Sequence, residues 1–501
     1  MAPTKPTKNT NRKAASTTKR RRENDASAPD RRGKRQKIAP ATEPLIQDQA
    51  ARPRPARQPP ASALPVPNRR PTEPLNIYVL GANSGGELGL GPSVRSGNVG
   101  RPRLNPYLSG SAGVVQVSLG AMHGVALTLD NRILTWGVND HGALGRDTSW
   151  EGNLVDAGGD ESDSDEDGEL NPKECTPSPV DTSAIPPDTI FTQVAATDNA
   201  TFALTSTGRV YGWGTFRSED GKLSFTRTVK VQSRPALILF VKDVVKLCCG
   251  SNHVLALTTD GFVYTWGRGT DGQLGRRFSS RVVDWNKEGL IPRRVAHLKS
   301  IVEIGSGSNH SFAIERSGLV YGWGFNNAGQ IGVVDNSGEY ESAYDFALTV
   351  AVPSLVKSLV GLPRITQITG GNFHSMAITE DGRCLTWGRL YSFATGLKID
   401  TLPLDLVVRD SRDKPSFLRV PTAVPGLSPT LVAAASEHSL AVNTDHKVYS
   451  WGLNLTKQIG HKEEEVEVAT PLSHPSIVDK RFVWVGAGAQ YSMIGELAAP
   501  N

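Results

Sequence analysis

Short apolar runs, about five residues each and rich in Val, Ile, Leu, Tyr and Trp, recur from residue 76 almost to the end of the chain. In one stretch Ile301 to Ile304 meets a Gly-rich turn, then His310 to Ile314, then Ser317-Gly318, then Leu319 to Trp323. Runs of this length and composition between turn residues predict β-strands, and no apolar stretch keeps a helical period long enough to compete.

The pattern is itself repeated. The copies beginning at Val244, Ile301 and Ile365 overlay almost without gaps, and six copies end on Trp-Gly, at Trp136, Trp213, Trp266, Trp323, Trp387 and Trp451. Their spacings of 77, 53, 57, 64 and 64 residues describe one supersecondary unit with variable loops. Four short strands per unit make a propeller blade. A seventh unit is split between the chain ends: Phe482 to Ile494 supplies one half and Ile77 to Gly81 the other, with Leu80 where Trp would stand. The fold class is therefore all-β, a seven-bladed β-propeller closed by the N-terminal strand pairing into the C-terminal blade, which leaves no open sheet edge.

Composition divides the chain further. Residues 1–75 hold 18 Lys+Arg against 6 Asp+Glu with almost no aromatics, which predicts a disordered basic tail. The ring spans 76–496, and 497–501 is a short C-terminal tail. Lys19-Arg20, a spacer, then Arg31-Arg32-Gly33-Lys34-Arg35 have the layout of a bipartite nuclear import signal, and such clusters also attract nucleic-acid phosphates without reading sequence. The remaining chain carries 37 Lys+Arg and 44 Asp+Glu. Within it lie an acidic insert, 156–169, expected to be a solvated loop with Ser162 and Ser164 as possible phosphorylation sites, and a basic insert, 276–294. Arg276, Arg277 and Arg281 of the basic insert suggest contact with an acidic partner such as the nucleosome surface. Four cysteines in no disulfide or zinc spacing fit a reducing compartment, and no secretory or membrane-spanning run appears, so a soluble protein without membrane contact is expected.

No phosphate loop, metalloprotease or nucleophile-elbow motif is present, so neither covalent catalysis nor a cofactor is expected. His123, His253, His310, His374 and His438 each open the strand after the Gly-rich turn, with Ala200 and Gln490 in the other two units. Equivalent positions on separate blades ring a wide axis and do not converge to metal-bond distances, so no metal is expected and a structural role bracing each turn is assigned.

Function then falls to what breaks the repeat. The turn Ala195-Ala196-Thr197-Asp198-Asn199-Ala200 has an acid and no His, which places Asp198 as an exposed carboxylate near the ring opening. After Gly214 the usual tight loop, Asn139 to Gly145 in the first copy, becomes Thr215-Phe216-Arg217-Ser218-Glu219-Asp220-Gly221-Lys222-Leu223-Ser224.

These residues, with the strings Asn139 to Ser149 and Gly208 to Arg217, resemble the regulator of chromosome condensation family, of the fungal type, over about residues 76–496. The resemblance implies a nuclear, chromatin-bound factor that releases guanine nucleotide from the small GTPase Ran, binding its nucleotide-free and GDP forms, and that supports nucleocytoplasmic transport and mitosis. It implies that Thr215 to Leu223 is a wedge pressed on the GTPase phosphate-binding region, with Asp198 and Arg217 as the acting groups. Asn252, His310 and His374 fall on the implied GTPase-binding face, although the family has Asp at the position of Asn252. Implied partners also include histones, DNA and a nuclear import receptor. The alternative is a propeller scaffold that binds chromatin or a ubiquitin-ligase partner without exchange activity, a role that gives no reason for the wedge.

Overall fold

The computed structural model describes residues 68–499 apart from 96, 153–168, 219, 279–284 and 334–347. Of the two compact units of the chain, Met1–Gln58 lies outside these residues, as do the basic clusters at Lys19-Arg20 and Arg31 to Arg35, Arg281, Glu219 and all of the acidic insert but Glu169.

The fourth blade shows how one repeat folds. Strands Ile301–Ser306, His310–Glu315, Val320–Phe325 and Thr349–Leu355 pair antiparallel in that order, with His310 opposite Gly324 and Ser311 opposite Trp323. Gly324 is required there: its φ is +110°, and a Cβ would lie 2.5 Å from the Asn309 carbonyl oxygen. In all seven blades the register shifts between the first and third residues of the first strand, a bulge that adds twist. The first strands lie innermost, and their ends line an axial cavity of about 180 Å3 with residues from every blade.

The seventh blade is ordered Val99–Leu104, Leu75–Gly81, Tyr491–Leu497, Phe482–Ala487. The two chain ends pair from Leu75 opposite Leu497 to Gly81 opposite Tyr491, and Leu80 faces Ser492 as Trp136 faces Gly124. This register puts Tyr491, not Gln490, where the other blades carry His. The difference of one residue arises because the preceding turn, Gly488 to Gln490, matches Gly120 to Met122 in length.

The core is a ring of blade-to-blade clusters, with all six repeat tryptophans fully buried. Four of the seams are locked by the same polar circuit. His310 Nε2 lies 2.8 Å from the Ser375 hydroxyl of the next blade, and that hydroxyl donates to the Gln330 carbonyl at 2.7 Å. Trp387 Nε1 donates to the same carbonyl at 2.8 Å. The arrangement recurs as His123, Thr201, Ala143 and Trp213; as His253, Ser311, Gln273 and Trp323; and as His374, Ser439, Ala394 and Trp451. His438 meets Ser492 at 3.0 Å. Because the hydroxyls of Thr201, Ser311, Ser375 and Ser439 each donate to a carbonyl, the imidazoles facing them donate through Nε2–H. Nδ1 of His253, His310 and His438 is buried without a partner, and burial pushes those three down to about 3, His123 and His374 to about 4. The histidines thus brace the next blade as well as their own turn.

Candidate functional site

The seam between the second blade (Phe191–Ala196, Ala200–Thr205, Val210–Gly214, Gln232–Leu237) and the third (Val244–Cys249, His253–Thr258, Val263–Gly267, Arg293–Arg294) keeps the tryptophan but lacks the histidine, the hydroxyl and the acceptor carbonyl of this circuit. Ala200 supplies no ring and Val254 no hydroxyl. Thr197 fills the place of the turn glycine over which a His ring lies in four other blades; at Gly307 a Cβ would sit 2.1 Å from His310. The loop after Gly214 brings no carbonyl to Trp266, whose buried indole N–H has no partner. An unpaired buried donor costs about 1–3 kcal/mol.

An aromatic cluster stands in place of the circuit. Phe216 stacks on Phe202 and Phe225 with centroids 6.1 Å apart in both pairs, and Trp266 meets Phe202 edge-on at 5.7 Å. The inner edge of the seam stays bonded, since Gln193 both accepts from the Leu247 amide and donates to its carbonyl at 2.8 Å.

The same loop forms the hairpin expected to act as a wedge. Phe216–Arg217 pairs antiparallel with Leu223–Ser224, and the tip turns through Ser218 and Gly221 with Ser218 N donating to Lys222 O at 3.0 Å. Its base is fixed at three points: Thr215 N to Asn199 O at 2.9 Å, Thr215 Oγ1 to Lys230 O at 2.7 Å, and Arg217 N to Asn252 Oδ1 at 2.8 Å. Thr215 and Phe216 are buried anchors, whereas Arg217, Asp220, Gly221 and Lys222 project into solvent. Lys222 pairs with Asp220 at 2.5 Å and, with the Ser218 hydroxyl, holds that carboxyl down at about 2.

Asp198 and Arg217 line one depression of about 380 Å3 on this face, together with Asn252, Asp140, His141 and Arg268. Asp198 also borders the axial cavity. It is half-buried rather than exposed, because its amide donates to Ser251 O at 2.9 Å in a chain of turn-to-turn bonds that continues from Ser251 to Ser308 and from Ser308 to Gly371. Burial pushes its carboxyl up to about 6, against a hydrogen bond from Ser251. A second depression, about 330 Å3, runs from the wedge to the third blade and is lined by Arg217, Lys222, Arg227, Arg268 and Lys287. Glu288 holds Arg227 and Arg293 there.

Other expected site residues are placed differently. His310 and His374 are fully buried in their seams and present nothing to a partner, because each ring is committed to the next blade. Asn252 is buried and acts as the support of the wedge backbone. Arg276 folds back on the carbonyls of Thr265, Gly289 and Ile291 at 3.1–3.2 Å, and burial lowers it to about 10, so it stabilises its own loop; Arg277 is exposed. Sequence reasoning missed Arg268, Asp140 and His141. The signal available for Arg268 was a cation directly after Trp266-Gly267, where the fifth copy has Arg389 but the first, second, fourth and sixth have Val138, Thr215, Phe325 and Leu453.

A seven-bladed ring with one unlocked seam carrying an inserted hairpin defines a specialised propeller of the Trp-Gly repeat class. The chain belongs to the RCC1-like domain family, whose model matches residues 76–494. It is 40% identical to Protein pim1 of Schizosaccharomyces pombe over 86% of this chain and 76% of that one. It is 37% identical to the Guanine nucleotide exchange factor SRM1 of Saccharomyces cerevisiae, over 84% and 87%. Among solved structures it is similar to Prp20p of Saccharomyces cerevisiae, studied for its binding to Gsp1p and histones, with 34% identity, TM-score 0.76, and 87% and 94% of the two chains covered. A yeast RCC1 bound to Kap60 matches with the same TM-score of 0.76 at 32% identity, covering 91% and 97%.

Proposed function

We propose that this protein is a guanine-nucleotide exchange factor for a Ran-type GTPase, acting in the nucleus on chromatin by non-covalent displacement of nucleotide. The observation that carries this reading is the hairpin Phe216–Ser224, rigidly based and solvent-exposed at its tip, standing at the seam from which the repeat circuit is missing. A relative over most of the length is itself an exchange factor, and the yeast neighbour binds Gsp1p and histones.

In this mechanism the tip with Arg217 displaces the phosphate-binding loop of the GTPase. Asp198 and the depression beside it receive basic groups that the phosphates release. Reciprocity requires that an exchanger which weakens nucleotide binding be weakened by nucleotide, so it binds the empty GTPase best. Accelerating release by about 10⁵-fold corresponds to about 7 kcal/mol. The basic tail serves nuclear import, through a receptor such as the one bound in the Kap60 complex, and with Arg277 it serves attraction to chromatin.

Release of a fluorescent GDP from Ran, followed by stopped flow with and without the full chain, tests the assignment. Acceleration that saturates with exchanger and is reversed by excess nucleotide is expected; an unaltered intrinsic rate overturns it.

A further inference from the structure

The outermost strand of the seventh blade, Val99–Leu104, and the loop that follows Trp451 in the sixth meet in an open groove of about 930 Å3. The two walls touch, since a Cβ on Gly100 would lie 3.6 Å from Lys457 Cγ. Arg101, Arg103, Lys457 and Lys462 line the groove, and no carboxylate does. Among the described residues Arg101, Arg103 and Lys462 have no ion pair or side-chain hydrogen bond, and all three are exposed. Lys457 reaches only the Lys462 carbonyl, at 3.4 Å. Glu496, which accepts from the Tyr78 hydroxyl of the groove wall at 3.3 Å, is already held by Lys480 at 3.2 Å, and Glu463 to Glu465 follow Lys462 along the chain without lining the groove. His461 adds no charge at neutral pH, because burial lowers it. Four like charges thus share one concavity on a ring whose acids outnumber its bases, and such a concentration of one sign attracts an anion.

We propose that this groove is a contact site for the phosphate backbone of double-stranded DNA, made without reading sequence and placed on the blade that closes the ring. Two observations select this anion. Pro102, between the two arginines, has no N–H to offer, and its carbonyl already accepts from Ser476 Oγ at 2.9 Å, so the strand edge is closed to an acidic peptide adding as a further strand. Tyr78 is 5% exposed and offers no ring face on which unpaired bases could stack, as single strands require. Duplex DNA needs neither device: it carries one charge per ~1.7 Å of its axis, so several phosphates come within reach of four cations at once. The inference rests on the chromatin part of the function proposed above, and adds to it a contact on the ring itself, at a different seam from the hairpin.

The test measures binding of the full-length protein to a mixed-sequence DNA duplex of about 20 base pairs, by fluorescence anisotropy between about 50 and 200 mM salt. Arg101→Ala, Arg103→Ala and Lys462→Ala together should weaken binding at least about tenfold at ~100 mM salt. They should also make the slope of log K against log salt shallower by about 2–3, since each lost phosphate contact removes about 0.9. Removing the same charge through Arg209→Ala, Lys398→Ala and Lys414→Ala, all exposed elsewhere on the ring, should change the slope by less than about 1. Melting curves confirm that both variants are folded. A groove variant with the wild-type slope, or the same loss from both triple variants, would overturn the proposal. Loss of binding to poly-glutamate with an unchanged DNA slope would overturn it too, by assigning the groove to an acidic protein segment. Absence of duplex binding by the wild-type chain would remove the chromatin reading as well. No GTPase takes part, so each of these outcomes is independent of the exchange assignment.

Discussion

Between the fourth and fifth blades, His310, Ser375, the Gln330 carbonyl and Trp387 form one satisfied circuit; between the second and third, the same positions hold Ala200, Val254, the wedge and an unpartnered Trp266. The losses are matched on both sides of the seam. A lone His without a hydroxyl, or a lone hydroxyl without a His, would leave a buried polar group unpaired, whereas removing both replaces them with apolar contact. The seam to the first blade follows the same rule, with Tyr491 opposite Gly124 and its hydroxyl donating to the carbonyls of Gly120 and His123 at 3.1 and 2.8 Å. The ring thus tolerates a seam of different chemistry provided that it is changed as a unit, and the loop released from supplying the Trp acceptor is the one that became a hairpin.

Acid should separate the two kinds of seam most strongly. The five seam histidines bind protons near pH 6.5 when unfolded but only at about 3–4 when folded, so the unfolded state gains protons as pH falls below 6.5 and stability is lost. Each contributes up to about 1.4 kcal/mol per pH unit in that window. Asp198 has the opposite sign: its carboxyl, raised to about 6, holds its proton more tightly when folded, so its contribution falls as pH rises toward 6. Five histidines outweigh one aspartate, and the melting temperature should drop by roughly 10 °C or more between pH 7 and pH 5. A flat profile over this range would show that the histidines are not locked neutral.

The next largest effect concerns the wedge alone. Because Phe216 is part of the aromatic cluster, the informative change spares it and replaces Arg217 to Lys222 by Asn-Gly. The maximal rate of nucleotide release should fall at least about 100-fold, about 2.7 kcal/mol, with melting nearly unchanged. A variant that reaches the wild-type maximum at high concentration would reduce the wedge to a docking contact.

A pair of tryptophan substitutions compares the seams directly. Trp323→Phe removes a satisfied hydrogen bond to Gln273, whereas Trp266→Phe removes a donor that has no acceptor. Chemical denaturation should find the first more destabilising than the second by about 1–3 kcal/mol; equal losses would mean that Trp266 has a partner in solution. The smallest change is expected from Asp198→Asn, which should lower exchange about tenfold, about 1.4 kcal/mol, and abolish a step in the rate near pH 6. Persistence of that step in the variant would assign it to another group.

The seven blades were legible in the sequence because Trp-Gly and the strand-opening His recur with the chain's own period, and Leu80 could be aligned to Trp although it shares only its apolar character. The hairpin after Gly214 was legible as a departure from that period. What the sequence concealed was direction: a histidine in register says nothing about which blade its ring will bond, so the pairing of Ala200 with Val254 emerged only from the seam geometry. The burial of Asp198 was hidden for a related reason, since its surroundings come from Ser251 on another blade. Arg276 looked like surface charge because a guanidinium's folding back onto carbonyls leaves no periodic trace.

The two halves of the last blade have a consequence for how the protein comes to exist. The strand Leu75–Gly81 is among the first ring segments to leave the ribosome, and its partner Tyr491–Leu497 is among the last. Until then the early strand can pair with Val99–Leu104 but not with Tyr491–Leu497, and its unpaired edge could recruit strands from other chains. Closure of the ring therefore waits for its last strand, and loss of Tyr491–Leu497 would leave an otherwise complete set of blades without a clasp.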